Sequence, residues 1–583
     1  MISPVHPALI FILGALLLPV APGRRAKQVL LLLIPLTALA DLLIMPQGTY
    51  WSYKFLSYQL TFARVDKLSL CFGYAFAVVA FLSALYALHV KQYGQHSATL
   101  LTVGSTLGIV FAGDVFTLFA FWELLAVSSV FVVWYGRSRQ AYDAGFRYLL
   151  VHLFGGALLL AGVAMHVLET GSTEFTKMDS GSLSSMLILI SVLINAAVPP
   201  LHAWLSDAYP EASPTGSVFL TAFTTKSAVY VLIRAFPGLE VLIWLGAIMA
   251  VYGIVYAVLE NDIRRLLAYH IISQVGYMVC GVGLGNEMAL NGSTAHAFSH
   301  ILYKALLFMG VGAVIEVTGR GKMTDLQGRN LYRRMPVCLT LYMIGGFSIS
   351  SVPLFNGFIS KNMVVAAASE LSRPTIHLLL HLASIGTFLS TGLKLPYGTW
   401  FGQPRPGEKV DRIDAKEPPL NMLLAMGLTA FLCILTGVYP KLLYDLLPYP
   451  VTYTPFTAYG IVGAVQLLTF TAVAFFLFRA KLGIEPTISL DTDWFYRKGG
   501  SFFFRACGTL SDVRSTLQGS AARLVERITT MSANPVQSLR AVIGAKTFKP
   551  IPYDADTYRQ AIGAGVMIAL VVFSFLCLVF LLR

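Results

Sequence analysis

Six ionisable side chains stand inside long apolar stretches of this sequence: Glu123, Lys226, His296, His300, Lys304 and Lys361. A charge at the centre of a bilayer costs about 2.5–3.5 kcal/mol on insertion scales, so such residues turn toward a wet interior and mark a route for ions or protons. One alone would be an accident, but a series spread over several helices reads as a relay. Glu123 lies in Leu118-Phe-Ala-Phe-Trp-Glu-Leu-Leu-Ala-Val. A carboxyl there can exchange a proton and couple to a nearby lysine, or it can serve as half of a static ion pair that orients helices. Lys226, in Phe223-Thr-Thr-Lys-Ser-Ala-Val-Tyr-Val-Leu-Ile, is too far from either helix end to snorkel. It is a proton carrier or a structural cation.

His296, His300 and Lys304 follow an i, i+4, i+8 pattern. Four residues are slightly more than one helical turn, so the three stack on one face about 6 Å apart, a gap that one water bridges. Histidine titrates near pH 6.5, which suits a shuttle. A packed polar network is the plainer alternative. Two histidines can also ligate a metal, but no nearby carboxylate or cysteine completes a site. Lys361 follows Gly357-Phe-Ile-Ser and is either central or snorkelling from a helix end. Arg264 and Arg265, at a helix start, read as topology anchors.

These residues need membrane-spanning helices to hold them. The chain has 583 residues, 56% hydrophobic and 12% charged, with a mean hydropathy of +0.69. A soluble protein carries about 25% charged residues. The sequence divides into about sixteen apolar runs, most long enough to cross about 30 Å of hydrocarbon as helices. They lie near 4–22, 26–46, 66–90, 96–112, 114–135, 143–168, 184–207, 213–235, 239–259, 262–286, 292–316, 334–368, 374–401, 420–440, 457–478 and 560–582. The first run reads as a retained helix, because another follows at once.

The net charge of +13 does not indicate nucleic acid, because its placement follows the runs. Arg24, Arg25 and Lys27 follow the first run, Lys91 the third, and Arg137 and Arg139 the fifth. Arg264 and Arg265 follow the ninth, Arg320 to Arg334 the eleventh, and Arg405, Lys409, Arg412 and Lys416 the thirteenth. Most basic residues of 479–549 follow the fifteenth. The positive-inside rule then places the odd-numbered exits in the cytoplasm and the N-terminus outside. The cysteines are scattered without metal spacing, so neither a disulfide framework nor a metal or iron–sulfur site is expected. No nucleotide, flavin or other cofactor motif is present.

Two runs carry a break. One reads Ala197-Val-Pro199-Pro200-Leu-His-Ala-Trp, the other Ser351-Val-Pro353-Leu-Phe-Asn-Gly357-Phe. Proline removes a helical hydrogen bond, and a membrane tolerates this only where protein or a wet cavity satisfies the freed backbone. Matched interruptions in two halves point to a transporter built from repeats, although membrane helices also contain proline for ordinary reasons. In the polar stretch 479–556, Leu510, Val513, Leu517, Ala521, Leu524, Ile528 and Met531 recur at steps of three and four. This amphipathic helix is expected to lie in the interface plane, ending near Asn534-Pro535; the alternative is a small soluble helical cap.

The chain resembles the proton-conducting antiporter-like family shared by respiratory complex I, group 4 membrane-bound hydrogenases and Mrp-type antiporters. The resemblance is carried by Trp122-Glu123, Pro200-Leu-His-Ala-Trp-Leu-Ser-Asp-Ala, Ala212-Ser-Pro-Thr-Gly-Ser-Val through Lys226 and Asp262-Ile-Arg-Arg-Leu-Leu-Ala-Tyr-His. Ser273-Gln-Val-Gly-Tyr, the His296/His300/Lys304 ladder with Ala305-Leu-Leu-Phe, and Gly357-Phe-Ile-Ser-Lys complete it. It covers roughly residues 60–365 and is similar both to the D-type proteins of Mrp antiporters and to the terminal subunits of the complex I arm.

The resemblance implies an all-α polytopic membrane protein with a fourteen-helix core, two inverted repeats each holding a broken helix, and a cytoplasmic-side lateral helix. It implies terminal helices at 1–95, repeats at 96–235 and 239–401, core helices at 402–480, a lateral segment at 481–556 and an anchor at 557–583. Glu123 would modulate, Lys226 connect, the ladder conduct and Lys361 switch the exit. The implied setting is the cell inner membrane. The implied partners are other membrane subunits, with protons and Na+ or K+ as cargo, and any redox chemistry of a NADH-quinone oxidoreductase-like or hydrogenase-like translocase left to those subunits. One departure stands out. The family's lysine before Pro-Leu-His aligns with Asn195, which cannot change charge, so Glu123 would have to pair with Lys226 or the protein would conduct differently. A subunit of another energy-coupled complex, such as a bicarbonate-accumulating one, and a non-conducting scaffold are the other readings.

Overall fold

In hydrocarbon every backbone polar group must find a partner within the protein, so apolar runs of this length become helices. The computed structural model describes residues 5–403, 414–479, 484, 491–544, 554 and 562–581. Arg405, Lys409 and Arg412, and the segment limits at 4, 481 and 556–560, lie outside the described residues. Among those described, twelve helices are long and apolar enough to cross a membrane. The other expected runs hold shorter or less apolar helices, or the two broken ones.

The first helices in chain order are α1 Pro7–Leu17, α2 Gly23–Ile44, α3 Lys67–Tyr86, α4 Tyr93–Phe111, α5 Val115–Trp134 and α6 Arg139–Thr170. The first broken run follows as α7 Leu183–Asn195 and α8 Ala203–Ala208, and then α9 Pro214–Ala222 and α10 Thr224–Ala235. After them come α11 Glu240–Leu259, α12 Ile263–Leu284 and α13 Glu287–Thr318. The second broken run is α14 Pro336–Ile349 and α15 Asn356–Glu370. It is followed by α16 Pro374–Thr387, which continues as π-turns through Lys394, and by α17 Leu420–Val438 and α18 Ala458–Phe478. One element is not foreshadowed by the apolar runs, an antiparallel hairpin of β1 Gly48–Phe55 and β2 Tyr58–Val65. It fills the connection between the second and third runs.

The chain divides into two compact units, Met1–Asp493 and Trp494–Arg583. The second holds most of helix α19 Asp493–Ala533, which contains the whole expected amphipathic stretch. Asn534 caps the next helix, α20 Pro535–Val542, whose first residue is the proline expected to stop α19. Helix α21 Ile562–Leu581 is the last apolar run.

Within the first unit two halves repeat. A shift of 148 residues, the step from Asp114 to Asp262, carries the aspartate cap of α5 onto that of α12. The same shift carries α6 onto α13, both 32 residues long, and their left-handed C-caps Gly171 and Gly319 onto each other. It also carries the isolated bridge Asp114–Glu174 onto Asp262–Lys322. The breaks match in kind. Ala197 and Ser351 both have φ of 58°, a strained value for a residue with a Cβ. After α7, Ala197 N–H donates to the Ile194 carbonyl and Val198 N–H to Leu193; after α14, Ser351 N–H donates to Ser348 and Val352 N–H to Phe347. The Trp204 indole N–H closes the first break by donating to the Ile194 carbonyl at 2.9 Å.

Helices α11 and α12 approach closely through small residues. A Cβ on Gly253 would sit 2.6 Å from Ser273 N, and one on Gly276 would sit 2.5 Å from Ala250 N. Dispersion between backbones, rather than hydrophobic burial, drives such contacts in lipid. The contact fixes the face of α12 that holds His270, Gln274 and Tyr277 toward α13 and α16.

Candidate functional site

Helix α13 is the spine of the site. It packs against α3, α9, α12, α14, α15 and α17, and all of its residues from Ala295 to Val314 are buried except Phe298. Lys226, His296, His300 and Lys304 are fully enclosed, and Lys361 is 1% exposed. Among the described residues none of the five joins an ion pair. A buried cation without a carboxylate is costly, because desolvation is not offset by Coulomb attraction.

The ladder has the expected spacing, with the His296 and His300 ring centroids 6.2 Å apart. His296 Nδ1 meets Ser360 Oγ at 3.2 Å, and its Nε2 meets the Tyr303 hydroxyl at 3.4 Å. Among the described residues, neither nitrogen of His300 has a hydrogen-bond partner, nor has Lys304 Nζ. Lys304 Nζ instead lies 5.9 Å from the Phe308 ring centroid. Buried polar atoms are nearly always paired, so three orphans on one helix face mark a strained or functional locus.

The breaks in the helices place the two outer lysines. The interruption at Phe223 between α9 and α10 leaves the Thr221 carbonyl free to accept from Lys226 Nζ at 2.6 Å, with Thr225 Oγ1 at 3.1 Å. Lys361, on α15, donates to the carbonyl of Ile349 at 3.3 Å. Ile349 ends α14, so the second break supplies the acceptor. Lys361 Nζ also lies 5.1 Å from the Tyr277 ring centroid. Lys226 is within electrostatic reach of His296, His300 and Lys304, and Lys361 is within reach of His296 and His270. The sequence-selected residues other than Glu123 therefore come together.

Glu123 stands apart. Its carboxylate is lodged against Gly156 of α6, where a Cβ would collide with it. No ion pair joins it to Lys226 among the described residues, so the suggested substitute pairing is not formed. Asn195, at the end of α7, accepts from His152 Nδ1 at 2.8 Å.

Several further groups belong to the polar interior. His152 and His270 also lie in apolar runs and meet the criterion that selected the other six. His270 Nε2 meets Ser390 Oγ at 2.8 Å. Gln274 takes a 3.4 Å hydrogen bond from Tyr303 and gives one of 3.3 Å to Thr387. One helical turn past Ser390, Lys394 donates to the carbonyls of Val258 and Glu260. Asp491 has no local sequence signal. It accepts from the hydroxyls of Tyr252 and Tyr269 and meets His202 Nε2 at 3.1 Å, and Thr492 Oγ1 donates to the Pro200 carbonyl at 3.2 Å. The segment after α18 is thus latched to the first break. Burial would push the Asp491 carboxyl up, but the hydrogen bonds from His202, Tyr252 and Tyr269 outweigh it and hold the group below the usual carboxylate range.

The fold and this enclosed set of titratable groups define a multi-pass helical membrane protein with a polar axis. Residues 112–390 match the family described as NADH:quinone oxidoreductase/Mrp antiporter, TM. The chain is 30% identical over 391 residues to an uncharacterized protein of Methanocaldococcus jannaschii, covering 64% of this chain and 80% of that one. It is 27% identical over 428 residues to a Na(+)/H(+) antiporter subunit of Alkalihalophilus pseudofirmus, covering 65% of this chain but only 52% of the relative. A chain from the structure of the Mrp complex of Dietzia sp. DQ12-45-1b superposes with a TM-score of 0.67 at 23% identity, covering 80% of this chain and 98% of that chain. The chain belongs to the NADH:quinone oxidoreductase/Mrp antiporter membrane family.

Proposed function

We propose that this chain is a proton-translocating subunit of a multisubunit membrane complex, of the Mrp antiporter or complex I-like kind. The observation that carries the reading is the enclosure of Lys226, His296, His300, Lys304 and Lys361 along α10, α13 and α15, without carboxylate partners among the described residues. Five costly groups gathered on one axis are better explained by proton exchange than by packing, which apolar residues would serve at lower cost. Lys226 feeds the ladder, His296, His300 and Lys304 pass the proton, and Lys361, held by the second break, controls exit. Glu123 modulates from the first half. The repeats are assigned to 96–235 and 239–401, in keeping with the shared register. Na+ or K+ is the counter-cargo if the complex exchanges cations. The N-terminus faces away from the cytoplasm of the cell inner membrane, on the strength of the basic residues at odd-numbered exits. Helix α19 lies along the cytoplasmic interface and α21 anchors it.

The test is proton uptake by proteoliposomes carrying the whole purified complex, followed with a pH-sensitive dye. Lys226→Ala should abolish uptake while the variant still assembles with its partner subunits. Undiminished uptake would remove Lys226 from the path, and a wild-type complex that moves no protons would end the proposal.

A further inference from the structure

We propose that His152 carries protons in the first half of the molecule, as His300 is read to do in the second, with Asn195 positioning the ring and Glu123 as its exchange partner. The inference rests on the translocation reading above. The repeat register is the first observation: the shift of 148 residues that superposes α5 on α12 and α6 on α13 carries His152 onto His300. The two histidines occupy the same position on the long central helix of each half.

The local geometry is the second observation. The ring is 1% exposed and held between aromatic walls, with its centroid 4.0 Å from that of Tyr148 and 4.5 Å from that of Trp204. Asn195 Oδ1 lies 2.8 Å from Nδ1 and accepts its hydrogen. In the neutral ring Nε2 is then a lone-pair acceptor, and it has no partner among the described residues. The Glu123 carboxylate is lodged against Gly156, four residues along the same face of α6, and its Oε1 also has no partner among the described residues. One turn of helix, a rise of about 6 Å, separates His152 from the glycine against which the Glu123 carboxyl lies. In the proposed exchange the Glu123 carboxylic acid gives up its proton and His152 Nε2 takes one, with water as the carrier between them. This gives a carboxylate and an imidazolium whose Nδ1–H stays on Asn195, and the reverse transfer resets both. Tyr148, Trp204 and Asn195 touch this ring, and the Glu123 carboxyl lies against Gly156 one turn along α6. Asparagine at position 195 then has a function of its own: it holds one tautomer of the neighbouring histidine.

The experiment reads proton uptake by the reconstituted complex for His152→Gln and His152→Lys, beside wild type. Both variants remove the ring from between Tyr148 and Trp204, but only lysine can carry a proton. We expect His152→Gln to lose at least tenfold and His152→Lys to keep at least half of the wild-type rate. Equal loss in both would assign the ring to packing and overturn the proposal, as would uptake by His152→Gln within twofold of wild type. If the glutamine variant does not assemble, Asn195→Ala leaves the ring in place and frees Nδ1. It should slow uptake at least threefold, and an unchanged rate overturns the inference. An active wild type with an active His152→Gln removes His152 alone, whereas an inactive wild type removes the translocation reading and this inference with it.

Discussion

Replacing His300 with glutamine tests the ladder at its middle rung. The His296 and His300 rings are 6.2 Å apart, so two unit charges on them would repel by about 2.7 kcal/mol at an effective dielectric of about 20. That is a factor of about 100 against both rings being charged together, so on the proposed reading the two rings hold one proton between them at a time and pass it on. Without His300 the proton must cross from His296 to Lys304, eight residues and about 12 Å of helix rise. Two single-water hops become one span of several waters, with no imidazole on the helix face midway to take the proton. Glutamine keeps the volume and polarity of the site, so packing changes little. Proton uptake by the reconstituted complex should fall at least tenfold, with co-purification of the partner subunits unchanged. A variant that assembles and conducts within twofold of wild type would show that His300 is a packed polar residue and that the regular spacing carries no traffic.

Gly156→Ala should press a methyl group into the Glu123 carboxylate, costing about 1–3 kcal/mol of stability as overpacking does and slowing uptake. Gly427→Ala is the control, because a Cβ there meets nothing within 4 Å, and it should be neutral or slightly stabilising in a thermal melt of the detergent-solubilised protein. Asp491→Asn should lower the melting temperature by loosening the latch on the first break, since hydrogen bonds to a charged group are worth about 1.5–3 kcal/mol each. The sign with pH follows from the depressed carboxyl: the stabilisation is complete above the unfolded value of about 3.9 and is lost as pH falls through the lower folded value. The difference between wild type and Asp491→Asn should therefore be constant from pH 8 to pH 5 and shrink below pH 4. A gap that persists into acid would mean that the aspartate acts by shape alone.

Much of this architecture is legible in the sequence because bilayer physics is stringent. Apolar length sets the helices, and proline and glycine mark both breaks. The i, i+4, i+8 spacing places His296, His300 and Lys304 on one face without knowledge of any contact. The hairpin Gly48–Val65 is not legible, since its aromatic and polar alternation also suits an exposed loop. Asp491 is not legible either, because its partners His202, Tyr252 and Tyr269 lie more than 200 residues away. His152 is within reach of sequence reasoning. It sits in Tyr148-Leu-Leu-Val-His-Leu-Phe-Gly-Gly, as apolar a setting as that of His300, and the 148-residue register points to it.

By itself the sequence determined that charged groups lie inside membrane helices, and how many residues separate those that share a helix. That follows from local rules: burial of apolar runs, helical periodicity and the backbone demands of proline. Only the tertiary structure decided which groups from different helices meet. It set Lys226 on the Thr221 carbonyl and Lys361 on Ile349, left Glu123 without a lysine partner among the described residues, and gave Asn195 to His152. Such pairings depend on the rotation and approach of separate helices, which small-residue contacts such as α11 against α12 fix and no single stretch of chain encodes.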